Sequence, residues 1–523
     1  MRERPGSLDG LVLGRDLFLA AVYPKKRPDD LTEAREENEE GSTWAGGCAE
    51  QPLTRKNLWC IRPANKAKST LMKRALSERT GSFLKSSAGM SLLILLTSSG
   101  CGRGAADKPG VETRRLSNGL RLTAVHMPGS TNLTIYSYLP MGLGSDGLTQ
   151  AQWSHLVEHL VVRSTTPSDS PQANAETLPD HLRLDFYGTT KDWREGLKHQ
   201  LNWLRGVPFT QEKLAAEKPK VTAECDFTAL NLGTHKFAIA AWAQGYRHNQ
   251  IHAAIKGDVE RATLAEIQKY RNERLPVLGK AVVCVVSGLD PKKVFAEFSL
   301  PLGSLTGQPH TPAPLPLHPG NRDMTWDLDA RHLVITWPVP GPFEKDHATL
   351  VVLGTWLNFQ FGNDPELQKR VGMIVAGPHL ATPEGSFFYV SASLRPDASL
   401  PQVRGRIGEH LAQVMSEKAD LKDVAVIGQQ LANSITTMVD PASLKDQLPP
   451  NVPLATVERN LGLQQGMHEY LFGEKKQEHV KELLAVNGTK LQEAVQTYLT
   501  IEKSSTITLR PVGTELTPAK KAQ

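Results

Sequence analysis

The sequence lacks several things, and each absence excludes a class. It has five cysteines in 523 residues, too few for a disulfide framework in a chain of this size. No apolar stretch approaches the roughly 20 residues that a membrane-crossing helix needs, so a multi-span membrane protein is excluded. Neither sign of charge is in excess: 60 Lys and Arg stand against 55 Asp and Glu, a net of +5. That bias is too weak to imply nucleic-acid binding. What remains, 40% apolar and 22% charged residues, is the composition of a globular protein rather than a collagen or a disordered chain. The length allows about two to four domains.

The first hundred residues differ from the rest. Residues 1–71 carry an acidic run, Glu33 to Glu40, among Pro-, Gly- and Lys/Arg-rich neighbours with little periodicity. Such a stretch buries too little apolar surface to order itself. It reads either as a disordered extension or as sequence upstream of a start at Met72, the first methionine after Met1.

From Met72 the chain resembles a secretory signal, expected over 72–100. Lys73, Arg74, Arg79 and Lys85 make a basic region, and Met90 to Thr97 (MSLLILLT) an apolar one; signal h-regions run roughly 7–15 residues. Ser98-Ser99-Gly100 then lead into Cys101, which is similar to a bacterial lipoprotein cleavage site with Cys101 lipidated. Ser98 stands where a branched aliphatic is usual, and a plain signal peptide or a chance apolar patch stays open. Residues 1–100 hold 16 of the basic and 12 of the acidic residues, so from Cys101 onward the net charge is +1.

Beyond a short anchor segment, 101–110, regular patterning begins. Arg114 to Val125 predicts a hairpin turning at Asn118-Gly119, and Leu133 to Leu139 alternates as a strand. Helical patterns follow at 150–163, 191–204, 210–228, 234–247 and 264–275, and Ala281 to Ser287 (AVVCVVS) predicts a buried strand. Residues 303–320 contain Pro309, Pro312, Pro314, Pro316 and Pro319, which excludes helix and internal strand and predicts a semi-rigid linker. The pattern then restarts: strand 332–337, helix 345–358, strand 386–394, helix 401–418. Both halves end alike, with a helix closing on Tyr270 or Tyr498, a strand, then Asp290-Pro291 or Arg510-Pro511. The expected organisation is two α+β domains, 111–302 and 321–514, followed by a tail, 515–523.

The chemistry concentrates in Gln152 to Arg163. His155 and His159, four apart, lie on one face of a helix, where both imidazoles can reach one Zn²⁺. Glu158 stands between them, giving H-x-x-E-H, the inverse of the zincin motif. Catalytic zinc takes a third protein ligand and keeps a position open. Glu224 is the best candidate, on a helix expected to begin at Pro219. The alternative is an ordinary histidine pair on an amphipathic helix. Cys225 and Cys284 are open to pairing in an oxidising compartment, and Cys225 otherwise reads as a small buried residue.

The surroundings of this motif resemble the pitrilysin/insulinase family of zinc metallopeptidases, over nearly all of 111–512. Leu116-Ser117-Asn118-Gly119-Leu120 looks like the family's opening strands, and Gly144-Ser145 precedes the motif as in the family. Asn174-Ala175-Glu176-Thr177 fits its N-A-x-T strand, Asp180-His181 and Tyr187 the next strand, and Glu217 and Glu224 its distal glutamates. The resemblance implies two α+β domains around a chamber and one Zn²⁺ per chain on His155, His159 and Glu224. Glu158 would be the general base and Glu217 would steer a ligand histidine. Asn174 and Ala175 would lie on the edge strand that receives a peptide substrate.

Two departures matter. After His159 the family reads Met-Leu-Phe-x-Gly-Thr, whereas this chain has Leu160 to Thr165 as L-V-V-R-S-T. Active members also carry an Arg and, seven residues on, a Tyr in the second half; here Glu366 and Met373 stand there, with Arg370 nearby. The resemblance therefore implies a zinc-less homologous partner that supplies them; with the signal-like run from Met72 to Cys101, the expectation is an exported endopeptidase tethered through Cys101 on the periplasmic side of a bacterial outer membrane. No nucleic acid and no other membrane contact is expected. The competing expectation is a non-catalytic assembly subunit of the same fold.

Overall fold

Asn118 and Gly119 turn the chain between its first two strands, and the turn is fixed from both sides. Gly119 takes φ +86°, a conformation that costs glycine little. The Asn118 amide donates to the carbonyls of Leu302 and Leu305 at 2.8 and 3.0 Å. These interactions appear in a computed structural model that describes residues 108–147, 149–166, 172–231, 258–309, 320–326, 330–342, 344–380, 385–416, 422–438 and 452–511. All of them belong to one compact unit.

The first half runs β1 (Gly110–Arg115), β2 (Arg121–His126), β3 (Asn132–Leu139), α1 (Trp153–Thr165), β4 (Ala173–Thr177), β5 (Leu182–Thr189), α2 (Trp193–Arg205), α3 (Gln211–Asn231), α4 (Leu264–Arg274), β6 (Val282–Ser287) and α5 (Pro291–Gly303). The second runs β7 (Arg322–Trp326), β8 (His332–Val339), α6 (His347–Gly362), α7 (Pro365–Gln368), β9 (Val371–Leu380), β10 (Ser386–Leu394), α8 (Leu400–Met415), α9 (Lys422–Thr436), α10 (Leu454–Leu471), α11 (Lys476–Leu484), α12 (Gly488–Tyr498) and β11 (Ser505–Pro511).

The first sheet has the order β1-β2-β6-β3-β5-β4 and the second β7-β11-β8-β10-β9. With β1 set aside the two orders superimpose. In each, the closing strand of the half sits centrally, parallel to one neighbour (β2 or β7) and antiparallel to the other (β3 or β8). The entry into the helix after β3 or β8 is repeated as well. Gln152 and Asp346 precede α1 and α6 with φ of 67° and 72°, a left-handed conformation that costs a non-glycine residue about 1–2 kcal/mol. Tyr270 donates to Asp146 near the first entry, and Tyr498 to Asp346 at the second. The duplication suggested by the matching ends of the two halves is thus carried by topology.

Helices of the first half cover one face of its sheet, burying Leu122, Ile135, Leu184, Phe186 and Val285 with Leu156, Val157 and Leu160 of α1. The opposite face, with Tyr136, Tyr138, Val282, Cys284 and Val286, is covered by Leu463, Met467 and Tyr470 of α10, from the second half. A strand buried on both faces reads as an unbroken apolar run, which explains the Val-rich β6. Helix α10 comes close because a Cβ on Gly462 would lie 2.4 Å from Val286, and one on Gly466 2.6 Å from Tyr138. Tyr136 and Tyr138 donate their hydroxyls to the carbonyls of Arg459 and Leu463 at 3.0 and 2.9 Å. A separate cluster fills the second half, from Leu333 and Leu350 to Leu499.

Two expectations change. The helix carrying Glu224 does not begin at Pro219; it begins at Gln211 and runs through the proline. Pro219 and Ala215, whose carbonyl loses its usual N–H partner, are both exposed, so water can satisfy that carbonyl. Cys225 and Cys284 are both free and belong to clusters on opposite faces of the first sheet. Of the Pro-rich segment, residue 303 ends α5 and Gln308 donates its N–H to Pro276 at 2.7 Å, while 310–319 lie outside the described residues. The helix expected at 234–247, the leader, Cys101 and the tail also lie outside them. No helix among the described residues is long and apolar enough to cross a membrane.

Candidate functional site

Helix α1 enters its place through buried acids. Asp146 accepts from Ser154 N–H at 3.0 Å, from the Ser154 hydroxyl at 3.2 Å and from Tyr270 at 2.5 Å. Burial raises the Asp146 carboxyl to about 7, against the pull of those hydrogen bonds. Asp258 accepts from Ala151 N–H at 3.0 Å, and its carbonyl accepts from the Trp153 indole at 3.0 Å. The chain from Ala151 to Ser154 is therefore held just ahead of His155.

His155, directly after Ser154, and His159, one turn on, stack edge to face with ring centroids 5.0 Å apart. Glu224 of α3 faces both: its carboxylate oxygens lie 3.4 Å from His155 Nε2 and 3.6 Å from His159 Nε2. Among the described residues these three form the group able to hold a metal ion, with all three donor atoms within 4.8 Å of one another. Ligands bound at about 2.0–2.1 Å around a tetrahedral ion stand about 3.3 Å apart, so the set suits zinc.

The far nitrogens of both rings are also engaged. His159 Nδ1 donates to Glu217 at 3.0 Å, and Glu217's other oxygen accepts from Lys220 at 2.8 Å. His155 Nδ1 donates to Gln152 Oε1 at 2.9 Å. An imidazole that donates from Nδ1 keeps its Nε2 lone pair for a metal. Burial resists charging of His155, but hydrogen bonds with Cys225 and Glu224 and the charge of Glu158 outweigh it and raise the ring to about 9. Burial likewise resists charging of His159, and Glu217, Glu224 and Glu158 raise it to about 9. Burial works against ionisation of Glu217, yet His159 and Lys220 hold it below the usual carboxylate range. This cluster draws protons, and a divalent cation can take their place.

Glu158 is buried, 4% exposed, and accepts from Thr177 Oγ1 at 2.7 Å. Thr177 ends β4, the last strand in the sheet order. Along β4, Ala173 and Ala175 pack into the helix-side core, and Thr177 reaches that side. Asn174 pairs in register with Asp185, and Glu176 with Arg183, to which it makes a 3.0 Å ion pair on the other side. The structure thus brings together His155, His159, Glu158, Glu217 and Glu224, with Asn174 and Ala175 on the adjoining edge strand.

Among the described residues the second half has no equivalent set. Counted from the left-handed residues before α1 and α6, His155, Glu158 and His159 match Thr349, Val352 and Leu353, the last two buried in the core. Glu366 is engaged by Lys369 at 2.7 Å and Arg370 at 2.9 Å, and Arg370 also donates to the Glu366 carbonyl. Met373 is 47% exposed on β9, and the sequence holds no tyrosine between Tyr270 and Tyr389.

Motif reading missed Gln152, Lys220, Asp146 and Asp258, and gave Thr177 no role of its own. Of these, only Lys220 left a trace, three residues after Glu217 on a helix.

The fold is that of the M16-peptidase-like proteins. A protease from Helicobacter pylori matches with TM-score 0.58 and 17% identity, over 77% of this chain and 100% of its own. The inactive domain of an M16 peptidase from Pseudomonas fluorescens matches with TM-score 0.60 and 13% identity, over 77% and 98%. The periplasmic protease PqqL from Escherichia coli matches with TM-score 0.56 and 14% identity, over 77% of this chain and 48% of that one. No family model and no curated protein sequence matches.

Proposed function

We propose that the chain is an exported zinc-dependent endopeptidase that hydrolyses peptide bonds in peptides or unfolded segments. The observation that carries this is the convergence of His155, His159 and Glu224, with the buried carboxylate of Glu158 one turn away on the same helix. A bound Zn²⁺ would supply Lewis acidity and make a coordinated water acidic near neutral pH. The residues do the rest. Glu158, held on one oxygen by Thr177, takes a proton from the attacking water with the other and returns it to the leaving amine. Glu217 and Gln152 fix the two rings. The edge of β4, at Asn174 and Ala175, takes an extended peptide by strand addition.

Glu366 and Met373 support a requirement for a zinc-less homologous partner that provides the missing Arg and Tyr. The run from Met72 to Cys101 supports export and a lipid anchor at the periplasmic side of the outer membrane, and the periplasmic neighbour PqqL agrees. A second reading, a non-catalytic assembly subunit, rests on the same Glu366 and Met373. The test is zinc content and peptide cleavage of the full chain, alone and with a co-expressed family homologue. Stoichiometric zinc and cleavage abolished by Glu158→Gln are expected, with cleavage rising when the homologue is added. Zinc without cleavage in either preparation would favour the assembly subunit.

A further inference from the structure

Gln152 is one of two non-glycine residues with positive φ among the described residues, and it directly precedes the helix that carries the histidines. It gives that helix no side-chain cap. Its amide oxygen instead accepts from His155 Nδ1 at 2.9 Å. The second half isolates what the fold alone demands. Asp346 takes the same left-handed conformation at the equivalent entry, and its carboxylate accepts from Tyr498. The backbone turn is therefore general to both halves, whereas the destination of the side chain is not. Glycine meets that backbone demand without strain. A glutamine there carries the strain, and its polar end reaches one ligand histidine.

The two rings are consequently steered by different chemistry. His159 is held by a carboxylate from α3 that is itself anchored by Lys220. His155 is held by a neutral amide three residues earlier on its own helix. Strain concentrated where a side chain meets a functional group points to use of that side chain.

We propose that Gln152 is a positioning residue: its left-handed backbone aims Oε1 at His155 Nδ1, which fixes the ring with Nε2 facing Glu224 and His159 and raises the site's affinity for a divalent cation. The proposal rests on the metal reading above for its consequence, but not for the hydrogen bond.

The experiment compares wild type, Gln152→Gly and Gln152→Glu in the full chain. Zinc affinity is read by chelator competition, stability by thermal melting without metal, and the His155 ring N–H by NMR of histidine-labelled protein. The Gly variant relieves the strain and removes the acceptor. It should lose about 10–100-fold in zinc affinity, the range usual for partners that orient ligands, while melting at or above the wild-type temperature. Its His155 Nδ1–H should lose protection from solvent exchange. The Glu variant keeps an acceptor of the same reach and should retain both affinity and protection. A Gly variant equal to wild type in affinity and protection would overturn the proposal, as would one whose affinity and melting temperature fall together. If wild type takes up no zinc while ring protection still follows residue 152, the positioning role stands and the metal reading falls.

Discussion

Thr177 Oγ1 donates to Glu158 Oε2 over 2.7 Å, joining the end of an edge strand to the middle of the histidine helix. Strand alternation makes the contact: Ala173 and Ala175 face the helices, so Thr177, two residues further, reaches the same side. One carboxylate oxygen is thereby occupied, and under the proposed mechanism the other would carry the proton.

Thr177→Val should accordingly lower kcat about tenfold, roughly 1.4 kcal/mol of barrier, with zinc content and KM little changed. Thr177→Ser, which keeps the hydroxyl, should recover most of the rate. Steady-state kinetics on a quenched-fluorescence peptide measure this, and a Val variant at full rate would remove Thr177 from the chemistry.

Proton release should accompany zinc binding. His155 and His159 have pKa values raised to about 9, so at pH 7 the metal-free rings are protonated and must shed protons to act as ligands. Calorimetry in two buffers of different ionisation enthalpy should show one to two protons released, and affinity rising steeply between about pH 6 and 9. The same shift has a stability side. Because the folded values lie above the ordinary histidine value near 6.5, the stabilising contribution of these two rings to the metal-free protein is complete below that pH and is lost as pH rises through about 9. Added zinc should reverse the loss.

Acid should destabilise the second half by an independent route. Burial lowers His347 to about 4 and His468 and His479 to about 3, helped at His468 by Lys476 and at His479 by His347. The unfolded chain protonates these groups near 6.5, so it binds more protons than the native state below that value. Their contribution is complete above about pH 6.5 and is lost as pH falls towards 4, each group on the order of 1 kcal/mol per pH unit. His479→Phe, stacked as His479 is on Phe472 at 4.0 Å, should flatten urea-midpoint profiles between pH 7 and 5. An unchanged slope would refute this assignment.

Gly462 and Gly466 set how closely α10 lies on the first sheet. Gly462→Ala places a methyl 2.4 Å from Val286, and overpacking of this kind costs about 1–3 kcal/mol. Chemical denaturation should show that loss, while an exposed control such as Gly408→Ala, with nothing near its Cβ, should be neutral or stabilising.

Local signals carried far into this structure. Asn118-Gly119 announced the first hairpin, the apolar run the two-sided strand β6, and the spacing of His155, Glu158 and His159 a shared helix face. Glu217 and Glu224, seven apart, proved to be two turns apart on α3 and to meet at His159, Glu217 on Nδ1 and Glu224 facing Nε2. What stayed hidden depends on partners distant in sequence or on backbone angles. Pro219 looked like a helix start because propensity weighs its missing N–H, and not the water available to an exposed Ala215 carbonyl. Gln152 is an unremarkable letter until its φ is known. The glycines of α10 acquire meaning only against Val286 and Tyr138.

The placement of β6 also orders events in time. Arg121 of β2 is registered with Val282 of β6, so about 160 residues must follow β2 out of the ribosome or translocon before that pairing can form. Until then β2 and β3 flank a gap with open edges, and such long-range pairing is slow and exposed to aggregation. Even afterwards, the face bearing Tyr136, Tyr138 and Val282 waits for Leu454 to Leu471. A fragment cut at the proline segment would keep every ligand of the candidate metal centre and still bare this apolar surface. The histidine half therefore depends on its successor to cover that sheet face.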